Sequence, residues 1–137
     1  MKKYTFVLMA LAFAACTRVP SDINGNHAFF DFDSARISDD ARDELESQSL
    51  YMKKNPDTTI VIEGRCDERG STDYNLALGA LRAGNAAHVI IQDGVESERI
   101  KTVSYGKEKP IYAGTGEKVW SKNRNTTTRV HMPDTQK

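Results

Sequence analysis

Hydrophobic and polar positions fall into a different pattern in each part of the chain. An apolar run over residues 4–15 follows Met1-Lys2-Lys3 and leads through Phe13-Ala14-Ala15 into Cys16, the basic, apolar and small-residue order of a secretory signal. The run is shorter than the roughly 20 apolar residues a membrane-spanning helix needs, and Arg18, Pro20 and Asp22 follow at once. Residues 17–25 carry only Val19 and Ile23 as sizeable apolar side chains among Pro20, Ser21, Asp22, Asn24 and Gly25, which reads as a short tether.

Beyond residue 25 the pattern alternates between strand and helix periods. Residues 28–32 form an aromatic strand closed by Asp33-Ser34. Ser38 is a helix N-cap, with Asp39, Asp40 and Asp43 favourably placed in the first turns. That helix runs to Lys54, carries Leu45, Leu50 and Tyr51 as an incomplete apolar face, and is stopped by Lys53-Lys54-Asn55-Pro56. Residues 58–63 are β-branched and alternating, a strand. A polar turn over 64–72 leads into a second helix from about Asp73 to Asp93-Gly94, with Leu78, Leu81, Ala86, Val89 and Ile90 on buried faces. Residues 100–105 predict a third strand, 106–123 a loop and 126–132 a last strand.

The order β-α-β-α-β-β predicts an α/β sandwich, a mixed sheet with two helices packed on one face. Crossovers of this length favour parallel neighbours. The expected organisation is a signal peptide over 1–15, a lipidated Cys16 and tether over 16–25, one domain over 26–132 and a tail over 133–137.

Composition narrows this further. The two cysteines are Cys16 and Cys66, so the domain has no internal disulfide and depends on a packed core. Loss of the leader takes Lys2 and Lys3 from 19 basic residues, leaving 17 against 19 acidic ones. Nothing in that balance points to nucleic acid. Cys16 stands where a bacterial lipoprotein signal places the thiol that accepts a diacylglyceryl group, and Thr17 rather than aspartate after it favours the outer membrane. Two or three acyl chains at about 0.8 kcal/mol per buried methylene would make an effectively permanent anchor.

The candidate chemistry is a binding site. Asn75, Leu78, Gly79 and Arg82 recur at i, i+3, i+4 and i+7 and share one helix face. Asp67 lies in the loop feeding that helix, which can fold back and set the carboxylate beside the Arg82 guanidinium. An acid and a base flanking one cleft complement a ligand end that carries both a carboxylate and an ammonium, with Arg82 on the carboxylate and Asp67 on the ammonium. From these residues alone a plain ion pair, contributing about 0–1 kcal/mol on a surface, remains the alternative. Cys66 and His88 are too far apart in sequence to read as a nucleophile pair, and His27, His88 and His131 lack metal-ligand spacing. Gly114-Thr115-Gly116 reads as a flexible turn, and Asn125-Thr126-Thr127 fits a glycosylation acceptor only formally. No cofactor or metal is implied.

Five blocks in order carry a resemblance. They are Phe30-Asp31-Phe32-Asp33-Ser34; Ile62-Glu63-Gly64 with Cys66-Asp67-Glu68-Arg69-Gly70; Tyr74-Asn75-Leu76-Ala77-Leu78-Gly79 with Arg82-Ala83; Thr102-Val103-Ser104-Tyr105-Gly106-Lys107-Glu108; and Asn123-Arg124. Between Phe29 and Val130 the chain resembles the peptidoglycan-associated lipoproteins of the Tol-Pal system, within the OmpA-like superfamily. The resemblance implies non-covalent binding of peptidoglycan through its diaminopimelate stem peptide by Asp67 and Arg82, with Phe32, Asp33, Arg69, Asn75 and Leu78 lining the same groove. It also implies a lipid anchor in the outer membrane, a periplasmic domain, no enzymatic activity, and TolB as a partner that competes with the wall. A role in envelope integrity and cell division goes with it. Arg65 departs from the usual histidine, Leu81 and Asn125 stand where charged residues are common, and the tether is shorter than usual. The readings from other classes are a cell-wall hydrolase using Asp67, Glu68 or Cys66, and a pure protein-interaction module.

Overall fold

Apolar side chains at alternate positions of the second strand give it an inward face, and the computed structural model describes residues 18–133. The signal run, Cys16 and residues 134–137 lie outside the described residues. Ile60 and Ile62 point inward from β2 (Thr59–Arg65), as Ala28 does from β1 (His27–Phe29). Helix α1 (Asp39–Lys54) starts where the Ser38 hydroxyl accepts the Ala41 amide hydrogen at 3.2 Å, and it ends at Asn55 with Lys53 and Lys54 in the last turn. Helix α2 (Thr72–Gln92) is capped in the same way by Ser71, which accepts from Tyr74. A 3-10 turn at Ser97–Arg99 leads into β3 (Ile100–Gly106), and β4 (Asn125–His131) closes the sheet.

The sheet order is β1-β4-β2-β3. β2 and β3 are parallel, while β4 runs antiparallel to β1 on one side and to β2 on the other. The mixed α/β sandwich is therefore as expected, with α1 and α2 packed on one face around Leu45, Tyr51, Met52, Ile60, Ile62, Ala83, Ala86 and Ile90. The central strand is polar because its hydroxyls find partners: Thr128 donates from Oγ1 to Gln48 Oε1 on α1 at 2.5 Å, and Thr127 to Asn125 Oδ1 at 3.1 Å.

Four expectations need correction. The first strand is three residues long and ends at Phe29, because residues 30–34 bend away to wall the cleft described below. The expected loop over 106–123 contains a short helix, α3 (Glu117–Asn123). Leu81 is 60% exposed, because the core face of α2 falls on Arg82, Ala83 and Ala86 instead. The tether is shorter than its polar composition suggests. Ile23 is fully buried in the core, the Gly25 amide donates to the Thr128 carbonyl at 2.7 Å, and the Asn24 carboxamide accepts from Val130. Packing thus begins at Ile23.

Candidate functional site

Two glycines let helix and strand meet at the head of the sheet. A Cβ on Gly64 would fall 1.9 Å from the Gly79 carbonyl oxygen, and one on Gly79 would fall 2.3 Å from Ser104 Oγ. Only glycine at both positions allows α2 to lie this close to β2 and β3. The β2–β3 register slips between Gly64 and Arg65, and the chain leaves the sheet into residues 66–71. The loop after β1 closes the opposite wall. Between them lies a cleft of about 410 Å³ whose lining includes all seven predicted site residues: Phe32, Asp33, Asp67, Arg69, Asn75, Leu78 and Arg82. Cys66, Gly70, Ser71 and Tyr74 complete it.

Arg82 is 1% exposed and is held by backbone. Its Nε donates to the Ser34 carbonyl at 2.8 Å, Nη1 to that of Arg65 at 2.9 Å and Nη2 to that of Asp31 at 2.9 Å. Burial lowers its pKa, but a guanidinium stays charged. Three of the five N–H donors of the fork are thereby engaged. The expected pairing with Asp67 is not made: no hydrogen bond joins the two among the described residues, because Asp67 has other partners.

Asp67 accepts from the Arg69 amide at 3.1 Å, from Arg69 Nε at 3.2 Å and Nη2 at 2.8 Å, and from Arg124 Nη1 at 3.4 Å. Burial alone would raise this carboxyl, but the hydrogen bonds from Arg69 and Arg124 outweigh it and hold the pKa below the ordinary range. Arg124 continues the chain of charges to Glu117 on α3 at 2.6 Å and anchors its own Nε on the Phe30 carbonyl. Neither Arg124 nor Glu117 figured among the predicted site residues, although Asn123-Arg124 belonged to the resemblance.

The remaining residues divide into scaffold and rim. The Asn75 carboxamide donates to the carbonyls of Arg69 and Ser71, so its work is to hold the loop. Leu78 is half-buried. Asp33 sits in the left-handed region at φ 53, exposed, and accepts a hydrogen bond from the Tyr74 hydroxyl. Among the described residues no cation pairs with Asp33, which makes it the cleft carboxylate without a cationic partner. Phe32 and Tyr74 are 56% and 51% exposed and form an aromatic rim. Tyr74 was missed because at the start of α2 it reads as an ordinary surface residue.

The groups suggested for hydrolysis are occupied. Cys66 is buried, burial pushes its pKa up, and its thiol donates to the Asn75 carbonyl. Glu68 accepts from Thr115 Oγ1 and Trp120 Nε1. The departures at Arg65 and Asn125 lie away from the cleft. The Arg65 side chain binds Glu63, Thr127 Oγ1 and the Lys109 carbonyl, and Asn125 is fully buried with its amide on the Lys122 carbonyl.

Residues 29–124 match the family described as the OmpA family. The chain is 44% identical over 106 residues to a protein of Mesorhizobium japonicum named peptidoglycan-associated lipoprotein, covering 77% of this chain and 63% of that one. It is 33% identical over 132 residues to a protein of the same name from Haemophilus influenzae, covering 82% and 86%. The chain thus spans only about three fifths of the rhizobial relative it matches. Among solved structures, the peptidoglycan-associated lipoprotein from Burkholderia pseudomallei superposes with a TM-score of 0.74 at 37% identity, over 77% of this chain and 89% of that one. The C-terminal domain of Helicobacter pylori MotB, at 22% identity and a TM-score of 0.73 over 80% and 86%, shares the fold.

Proposed function

The chain belongs to the OmpA family, and from that premise we propose that it is an outer-membrane lipoprotein whose domain binds peptidoglycan non-covalently, so tying the membrane to the wall. The observation that carries this reading is the single cleft in which Arg69 and Arg82 face Asp33 and Asp67 behind an aromatic rim. A stem peptide ending in meso-diaminopimelate presents a carboxylate and an ammonium a few bonds apart. The carboxylate goes to the guanidinium donors left free on Arg82 and Arg69, which can take it in a fork. Since both oxygens of Asp67 already accept from arginines, the ammonium goes to Asp33 or between the two aspartates. Lysine at the same peptide position lacks the carboxylate and leaves buried donors unpaired, which is the source of discrimination.

Acylation of Cys16 and retention in the outer membrane complete this reading, with the domain in the periplasm. The exposed Phe32 and Tyr74 favour a second use of the same rim, docking a periplasmic protein, TolB in the Tol-Pal arrangement of envelope integrity and cell division.

The test is sedimentation of the chain lacking residues 1–16 with purified sacculi. The parent should pellet with diaminopimelate-type sacculi and far less with lysine-type sacculi, while Asp33→Asn stays in solution with an unchanged melting temperature and Arg69→Ala, destabilised by loss of its bonds to Asp67 but still folded, stays in solution too. A parent that remains in solution with both wall types removes the proposal. Release of soluble muropeptides would instead mark a hydrolase.

A further inference from the structure

We propose that Trp120, which lines no part of the cleft, is the positioning residue that fixes Arg69 for ligand binding; the inference rests on the peptidoglycan reading above. The Arg69 guanidinium carbon lies 3.8 Å from the centre of the Phe32 ring and 4.1 Å from that of Trp120, so the planar group is clamped between two aromatic faces. Its Nε and Nη2 bond Asp67, and Nη1 has no acceptor among the described residues. The clamp therefore presents one end of the fork toward the cleft.

The Trp120 ring is itself fixed. Its Nε1 donates to Glu68 Oε1 at 2.8 Å, and the same oxygen accepts from Thr115 Oγ1 at 2.6 Å. Glu68 and Arg69 are neighbours on the cleft loop, whereas Thr115 and Trp120 belong to α3 and the turn before it. Arg124 adds a parallel link at the end of α3, bridging Asp67 and Glu117. The cleft loop is thus latched to α3 through a tryptophan, an indole hydrogen bond and an ion pair.

An unclamped arginine would lose its rotamer freedom on gripping a carboxylate, and that loss would weaken binding. A stacked arginine has lost it already. Guanidinium stacking is strongest on tryptophan, so the residue type matters as well as the position.

The experiment uses the chain lacking residues 1–16 and a soluble disaccharide tripeptide ending in meso-diaminopimelate. By calorimetry, Trp120→Ala should bind about tenfold more weakly than the parent, and Trp120→Phe, which keeps a stacking face but loses the indole donor, should recover most of the affinity. Trp120 is the only tryptophan in the sequence, so its fluorescence gives a readout that a merely structural role would not move. Saturating muropeptide should change the emission of the parent, and Arg69→Ala should abolish the change. If the parent binds and Trp120→Ala binds equally well, the positioning role is wrong while the cleft reading stands. Should Trp120→Ala fail to fold, unchanged Trp120 emission in the saturated parent overturns the inference. A parent that binds no muropeptide removes both readings together.

Discussion

Arg82 donates through Nη2 to the carbonyl oxygen of Asp31 at 2.9 Å and so fastens α2 to the segment leaving β1. With the bonds to Ser34 and Arg65, this buried side chain satisfies three carbonyls, two on the segment after β1 and one at the end of β2. Each carbonyl left unpaired costs about 1–3 kcal/mol. Arg82→Ala should therefore lose roughly 3–5 kcal/mol of stability in urea unfolding; a loss smaller than about 1 kcal/mol would show that water replaces the guanidinium readily. Absence of wall binding in that variant reports unfolding as much as chemistry, which makes Asp33→Asn and Arg69→Ala the cleaner probes.

The contact between Gly64 and Gly79 leaves no room for a methyl group. Gly64→Ala should destabilise the domain by at least about 2 kcal/mol, at the upper end of overpacking costs, since the obstacle is backbone rather than a movable side chain. A melting temperature equal to that of the parent would mean that α2 can slide along the sheet.

Asp67 links pH to stability. Its folded pKa is depressed by Arg69 and Arg124, so its contribution is complete above the unfolded value of about 3.9 and is lost as pH falls through the folded value. The stability gap between the parent and Asp67→Asn should be widest near neutrality and should shrink progressively below about pH 4. A gap that stays constant into acid would show that the loss in the variant comes from packing.

Much of this was legible in the sequence, for identifiable reasons. Ser38 and Asp39-Asp40 mark α1 because capping and dipole complementarity are local effects. The recurrence of Asn75, Leu78, Gly79 and Arg82 marks the cleft face because helix periodicity is fixed by geometry. What stayed hidden depends on partners distant in the chain. The position of β4 between β1 and β2, the burial of Ile23 and the backbone role of Arg82 are settled by contacts across 17 to 106 residues. Helix α3 is seven residues long, follows a glycine-rich turn and has no side-chain cap, so no local signal announces it. The preference of Asp67 for Arg69 is the reverse case. The pair is two residues apart and was outweighed by an expected pairing across the cleft.

Ile23 places the start of the domain. Ile23→Ala should cost about 2–5 kcal/mol as a buried large-to-small change, and a chain beginning at Asn26 should melt well below one beginning at Arg18. Equal melting temperatures would return residues 18–25 to the tether.

The attachment of that segment has a mechanical consequence. The chain enters beside Val130 and Thr128 and runs antiparallel to β4 as far as Phe29 opposite Asn125, while the cleft lies at the other end of the same strands, past Arg65. A load between the N-terminus and a ligand in the cleft is directed along the strand axis. The hydrogen bonds between β1 and β4 are then strained together in shear, rather than peeled one at a time as in an unzipping hairpin. With the proposed lipid anchor at one pole and the proposed wall contact at the other, the domain would resist extraction with its whole ladder at once.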